Sequence, residues 1–142
     1  YGPYQSLEKL IPKVISNAFN NKKIPVYNKG NEIRDWIHVS DHAKAIIDLI
    51  KKGKPGNTYN IGSKNEISNI KLIKKILFII SKNHTSYQKL LKLIKYVKDR
   101  PGHDFKYSID NYKIKSQIKW RPKVNFNYGI KETIEWYKSN KK

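Results

Sequence analysis

Six consecutive residues, Asp99-Arg100-Pro101-Gly102-His103-Asp104, put a guanidinium, an imidazole, carboxylates, a rigid Pro and a permissive Gly side by side. Such a run cannot be regular structure, because Pro lacks the amide donor and an adjoining Gly favours a turn. It fits a loop wrapped around an anionic ligand. A salt-bridged structural turn is the alternative. Arg34, inside Ile33-Arg34-Asp35-Trp36, carries the same two readings. Arginine is informative here because Arg34, Arg100 and Arg121 stand alone against 27 Lys. Its planar five-donor fork grips phosphate in a way an ammonium cannot reproduce. Two isolated Arg residues with a short anion between them would suit a diphosphate.

Other chemistries lack their residues. There is no G-x-G-x-x-G, and Gly53-Lys54-Pro55-Gly56 reads as a turn between helix and strand, so no dinucleotide site is expected within this chain. A Y-x-x-x-K match, Tyr137 to Lys141, straddles a helix end and a basic tail and is the kind of match a Tyr- and Lys-rich chain produces by chance. His38 and His42 are four apart without H-E-x-x-H, and Cys is absent. A metal site, a disulfide and a C-x-x-C redox pair are therefore not expected. No catalytic residue is assigned.

The elements that must position Arg34 and the 99–104 loop follow from periodicity. Apolar positions at Leu10, Ile11, Val14, Ile15, Ala18 and Phe19 predict a helix starting near Leu10, with Pro12 tolerated in its first turn. Residues 24–27 read as a strand, 28–31 as a turn and 33–39 as a second strand. Ser40 is expected to cap a helix ending at Gly53, and 58–62 to form a short strand. Ser68 or Asn69 opens a helix to about Ser81. Residues 87–97 show helix spacing first and β-formers last. Alternation at Phe105, Tyr107 and Ile109 predicts a strand, Asp110 a capped helix to Ile118, and Asn127 the cap of a final helix. One α+β domain over residues 1–142 is expected, with short strands among several helices.

The formal charge of +19 at pI about 10.0 would ordinarily point to a polyanion. Yet Lys (27), Ile (21) and Asn (14) all have A/T-rich codons, and the lysines are scattered with no arginine-rich arm. Composition, rather than nucleic-acid binding, accounts for the charge. The longest apolar run, 76–80, is far below the roughly 20 residues that cross a bilayer, and no leader opens the sequence. A cytoplasmic protein without a membrane partner is expected. Opening on Tyr1 within Tyr1-Gly2-Pro3-Tyr4, it reads as a C-terminal piece of a longer chain.

The segments YGPYQ…EKLIP, IPVY…G…IRDWIHVSDHAKAI, GNTYNIG…NE, DRPGHD…YSID…KI and WRP…FNYGI…TIEWY, in this order, closely resemble the C-terminal portion of dTDP-glucose 4,6-dehydratases. These are extended short-chain dehydrogenase/reductase enzymes. The resemblance implies a larger enzyme whose Rossmann half, outside these residues, holds NAD and the catalytic pair. The present part would bind dTDP-glucose, which the enzyme converts to dTDP-4-keto-6-deoxyglucose in deoxysugar biosynthesis, and the complete enzyme would be a homodimer. By motif position, Lys9 and Leu10 would lie along the nucleotide and Pro25, Val26 and Tyr27 would flank the thymine. Arg34 and Arg100 would hold the diphosphate, with Asn69 and His103 completing the pocket. Ser6-Leu7, His38 and Ser63-Lys64 depart from the family pattern without removing a diphosphate ligand. The alternatives are another nucleotide-sugar epimerase or dehydratase, or a non-catalytic basic domain.

Overall fold

Apolar residues spaced three and four apart line up on one face of a helix, and three such faces meet in the centre of the molecule. In a computed structural model of the chain, residues 1–99 and 101–140 are described. Helix α1 (Leu10–Phe19) contributes Ile11, Val14, Ile15 and Ala18, all at most 1% exposed. Two further helices, α3 (Asn69–Ser81) and α6 (Phe126–Ser139), bring Leu72, Ile73, Ile76, Leu77 and Ile80, and Ile130, Ile134 and Tyr137. Burying each Ile or Leu contributes about 1.5–3 kcal/mol, so this cluster dominates the stability.

Strand β1 (Ile24–Tyr27) closes the cluster with Ile24 and Val26, while alternate Pro25 and Tyr27 face outward. It pairs in parallel with β4 (Ile94–Val97), in register from Ile24 with Ile94 to Tyr27 with Val97, after the short α4 (Tyr87–Leu91). A second pair is antiparallel: β2 (Ile33–Asp35) with β3 (Glu66–Ser68). Between β1 and β2 a 3-10 turn, Asn28–Gly30, presses on the start of α3. Gly30 has φ +78°, and a Cβ there would meet the Ile70 backbone nitrogen at 2.9 Å, so no larger residue fits without displacement. A smaller cluster joins Ala45 of α2 (Val39–Lys52) to Ile114 and Ile118 of α5 (Tyr112–Ile118) and to Trp120.

The α+β class read from the sequence holds, and the structure alters several details. The strand expected over 33–39 stops at Asp35, because Trp36–His38 turn away to begin α2. His38, not Ser40, is the N-cap, its Nδ1 accepting from the Ser40 amide at 3.4 Å. Asn125, not Asn127, caps α6, and its Oδ1 accepts from the amides of Asn127 (2.9 Å) and Tyr128 (3.3 Å). Residues 58–62 form no strand, and the alternation at 105–109 yields one bridge, Lys106 with Ile33. Tyr59 and Ile61 pack against the small cluster and Tyr107 lines the cleft, while Phe105 and Ile109 stay exposed. Asn111, not Asp110, is the N-cap of α5, although Asp110 Oδ1 accepts from the Tyr112 amide at 3.0 Å. No described helix is long and apolar enough to cross a membrane.

Candidate functional site

A cleft of about 720 Å³ opens between the start of α1, the outer edge of β1, strand β2, the first residue of α3 and the 103–107 loop. Lys9, Leu10, Pro25, Val26, Tyr27, Arg34, Asn69 and His103 all line it. Each was singled out from the sequence, and the chain brings them together from positions 94 residues apart. Arg100, the remaining candidate, lies outside the described residues. Val26 is 3% exposed and belongs mainly to the core, so it offers a ligand little surface.

The guanidinium of Arg34 anchors the loop. Its Nη2 donates to the Asp104 carbonyl (2.8 Å), and Nη1 donates to the carbonyls of Ile33 (2.8 Å) and Phe105 (3.4 Å). Of the five donors a guanidinium carries, the Nε hydrogen and one on Nη2 then remain for an anion. The Tyr107 ring lies under the guanidinium, 4.7 Å from Cζ to ring centroid. Main-chain bonds seat the same loop on β2: the Ile33 amide donates to Phe105 O (2.8 Å) and the Tyr107 amide to Ile33 O (3.0 Å). Lys106 and Ser108 hold Glu66 of β3, and the Lys106 bond, chiefly, keeps that carboxyl below its ordinary range.

Beside Arg34, Asp35 is a structural clamp. Its carboxylate accepts from the amides of Ser63 (2.8 Å), Lys64 (3.2 Å) and Asn65 (2.9 Å) and from the Ser63 hydroxyl. A Cβ at Gly62 would come within 2.7 Å of Asp35 Oδ2, so the close wrap of 62–65 requires Gly there. Arg34 and Asp35 do not pair with one another; each fastens a different loop to β2.

His103 is held between two carboxylates. Its Nδ1 lies 2.7 Å from Asp99 Oδ1 and 3.7 Å from Glu32 Oε1, and its ring meets Tyr27 edge-on with centroids 6.3 Å apart. Glu32, Asp99 and His103 are the one group among the described residues whose ligating atoms lie within metal-binding distance of one another, at most 4.8 Å. Nothing in the sequence marked Glu32, a lone acid in a turn, because its partners are 37 and more residues away. Gln5 and Tyr107 also line the cleft unforeseen. Tyr107 had a weak signal, two positions after Phe105 in the loop that follows His103. By contrast His38 and His42 diverge: His38 is buried, with Nδ1 2.8 Å from Ser40 Oγ, and His42 is exposed.

A second, larger space of about 910 Å³ runs between α1 and α6, lined by Tyr4, Ser16, Phe19, Trp136 and Asn140 among others. It holds none of the sequence candidates and no arginine. The cleft is the chemically equipped one.

Residues 1–133 match the model of the family described as GDP-mannose 4,6 dehydratase. The chain belongs to that family. Within it, the resemblance to dTDP-glucose 4,6-dehydratases holds along the whole chain. A dTDP-glucose 4,6-dehydratase of Escherichia coli is 48% identical over 145 residues, covering 99% of this chain and 40% of that protein. The Haemophilus influenzae enzyme of the same name is 42% identical, covering 99% and 43%. Among solved structures, dTDP-glucose 4,6-dehydratase from Bacillus anthracis in complex with NAD superposes with a TM-score of 0.87 at 42% identity, over 99% of this chain and 42% of that one. DesIV, the Streptomyces venezuelae dTDP-glucose 4,6-dehydratase, gives 0.88 at 35%, over 99% and 41%. The chain thus spans about 40% of the length of the family members it matches.

Proposed function

We propose that this chain is the nucleotide-sugar-binding part of an NAD-dependent dTDP-glucose 4,6-dehydratase, and that the cleft beside β2 receives the dTDP moiety. The observation that carries the reading is convergence: eight residues chosen by motif position from separate segments line one cleft. In this reading Arg34 turns its remaining donors to a phosphate, Pro25 and Tyr27 offer flat apolar surface to the base, and Lys9 and Lys13 add positive charge along the rim. Arg100 is the second diphosphate ligand of the proposal.

NAD supplies hydride transfer in such an enzyme, and this chain's residues do not fit it. Gly53 and Gly56 follow a helix, not a strand, and among the described residues no glycine-rich turn leads from a strand into a helix. NAD and the acid-base groups therefore belong to the rest of the enzyme, a Rossmann domain paired in a homodimer. The contribution of the present residues is binding energy on the nucleotide handle, which orients the sugar for reaction elsewhere.

The test is a calorimetric titration of dTDP into the chain at two salt concentrations, with Arg34→Lys and Lys89→Ala alongside. Arg34→Lys keeps the charge and loses the fork, so affinity falls by about one to two decades, as expected for charge-assisted bonds worth roughly 1.5–3 kcal/mol. Lys89→Ala leaves it unchanged, and the salt dependence stays shallow. Equal losses in the two variants, with a steep salt slope, would favour a general polyanion binder.

A further inference from the structure

Glu32 is 1% exposed, and its surroundings give the cleft a polarity. Its Oε2 accepts from Asn69 Nδ2 at 3.1 Å, and its main-chain carbonyl accepts from the Asn69 amide at 2.9 Å, so it brackets the first residue of α3 from both sides. A carboxylate has only acceptors, so the amide of Asn69 is obliged to turn its nitrogen toward Glu32. The consequence is Asn69 Oδ1, a buried acceptor with no partner on the wall of the cleft. Glu32 Oε1 is likewise buried and unbonded, 3.7 Å from His103 Nδ1. Ser68 gives the α3 start no side-chain cap, and the Glu32 carboxylate sits where the helix dipole favours negative charge. An anion-favouring position is thus already filled by the protein's own acid.

We infer that Glu32 is a positioning residue that makes Asn69 meet the ligand with its carbonyl oxygen, so that this part of the cleft selects a hydrogen-bond donor on the nucleoside rather than a phosphate oxygen. The inference rests on the nucleoside diphosphate reading above. A phosphate oxygen at this point would face an acceptor with a carboxylate behind it. A sugar hydroxyl or a base N–H would satisfy the unpartnered Oδ1, and leaving such an acceptor empty is costly. The diphosphate is thereby directed toward Arg34.

The experiment titrates the chain with dTDP, with its 3′-deoxy analogue and with its N3-methyl analogue, which remove the hydroxyl and the N–H in turn. The unaltered chain binds one of the two analogues about tenfold more weakly than dTDP, the value of one hydrogen bond. Glu32→Leu keeps the buried volume but frees Asn69 to rotate, and brings that analogue to within about twofold of dTDP. Glu32→Gln retains a carbonyl acceptor and restores the discrimination, whereas a packing role would be met equally by Leu. Discrimination persisting in Glu32→Leu overturns the inference. So does equal binding of all three nucleotides by the unaltered chain, a comparison that requires no variant to fold and leaves the dTDP reading standing. Failure of dTDP itself to bind removes the dTDP reading, and this inference with it.

Discussion

The two large spaces of the molecule differ in kind. The groove between α1 and α6 is the roomier and is walled by aromatic rings: Tyr4 lies against Trp136 with centroids 4.6 Å apart, and Trp136 against Tyr137 at 4.7 Å. The cleft beside β2 is smaller and carries Arg34, His103 and Asn69. Of the buried polar atoms without a partner among the described residues, none belongs to the groove alone. Asn69 Oδ1 lies on the cleft with Glu32 Oε1 behind it, Gln5 Oε1 lies where the two spaces meet, and His38 Nε2 and Asn111 Oδ1 lie in neither. Volume alone would select the groove; unsatisfied polar groups beside an arginine select the cleft, because native interiors seldom leave such groups unpaired without a reason.

The comparison breaks most severely at Asp35. This carboxylate collects three amides and a hydroxyl from 63–65 and forms part of the cleft wall. Asp35→Ala leaves those donors unanswered and costs on the order of 3 kcal/mol, with dTDP binding lost as the wall loosens. Denaturant unfolding followed by titration checks both. A variant that unfolds at the same midpoint and still binds would show that the clamp contributes nothing.

Trp136→Leu sharpens the contrast from the groove side. Losing the two ring contacts costs about 1–2 kcal/mol of stability while dTDP affinity stays within about twofold, since Trp136 does not line the cleft. A selective loss of affinity would relocate the site to the groove.

How much was legible in the sequence follows the same division. The helices α1, α3 and α6 announced themselves because the 3.6-residue period is local: Ile11, Val14, Ile15 and Ala18 are as buried as their spacing implied. Caps were less secure. His38 took the place read for Ser40 because an imidazole nitrogen can accept from an amide as a hydroxyl does. The strand read over 58–62 failed because its residues wrap Asp35 and the small cluster instead of finding a ladder partner. In the cleft, residues recognisable by motif were found, but Glu32 was not. Its significance depends on Asn69 and His103, which are remote in sequence and meet it only in the folded chain.

The smallest expected effect lies in pH. Burial pushes His38 below its usual 6.5, although Glu132, 3.5 Å away, pulls in the opposite direction. Below about 6.5 the unfolded chain takes up a proton that the folded chain resists. The stability His38 contributes is therefore present above that value and is lost as the pH falls through the folded-state value. Unfolding midpoints between pH 7.5 and pH 5 should decline less steeply in His38→Phe than in the unaltered chain. Identical slopes would show that His38 does not set them.

The central claim, that the cleft and not the groove receives the nucleotide, is tested most directly by amide chemical-shift mapping of the ¹⁵N-labelled chain during titration with dTDP. The account predicts saturable shifts at Tyr27, Arg34, Asn69, His103 and Tyr107, with Ser16, Phe19, Trp136 and Asn140 unmoved. Shifts concentrated on the second set, or none that saturate, would contradict it.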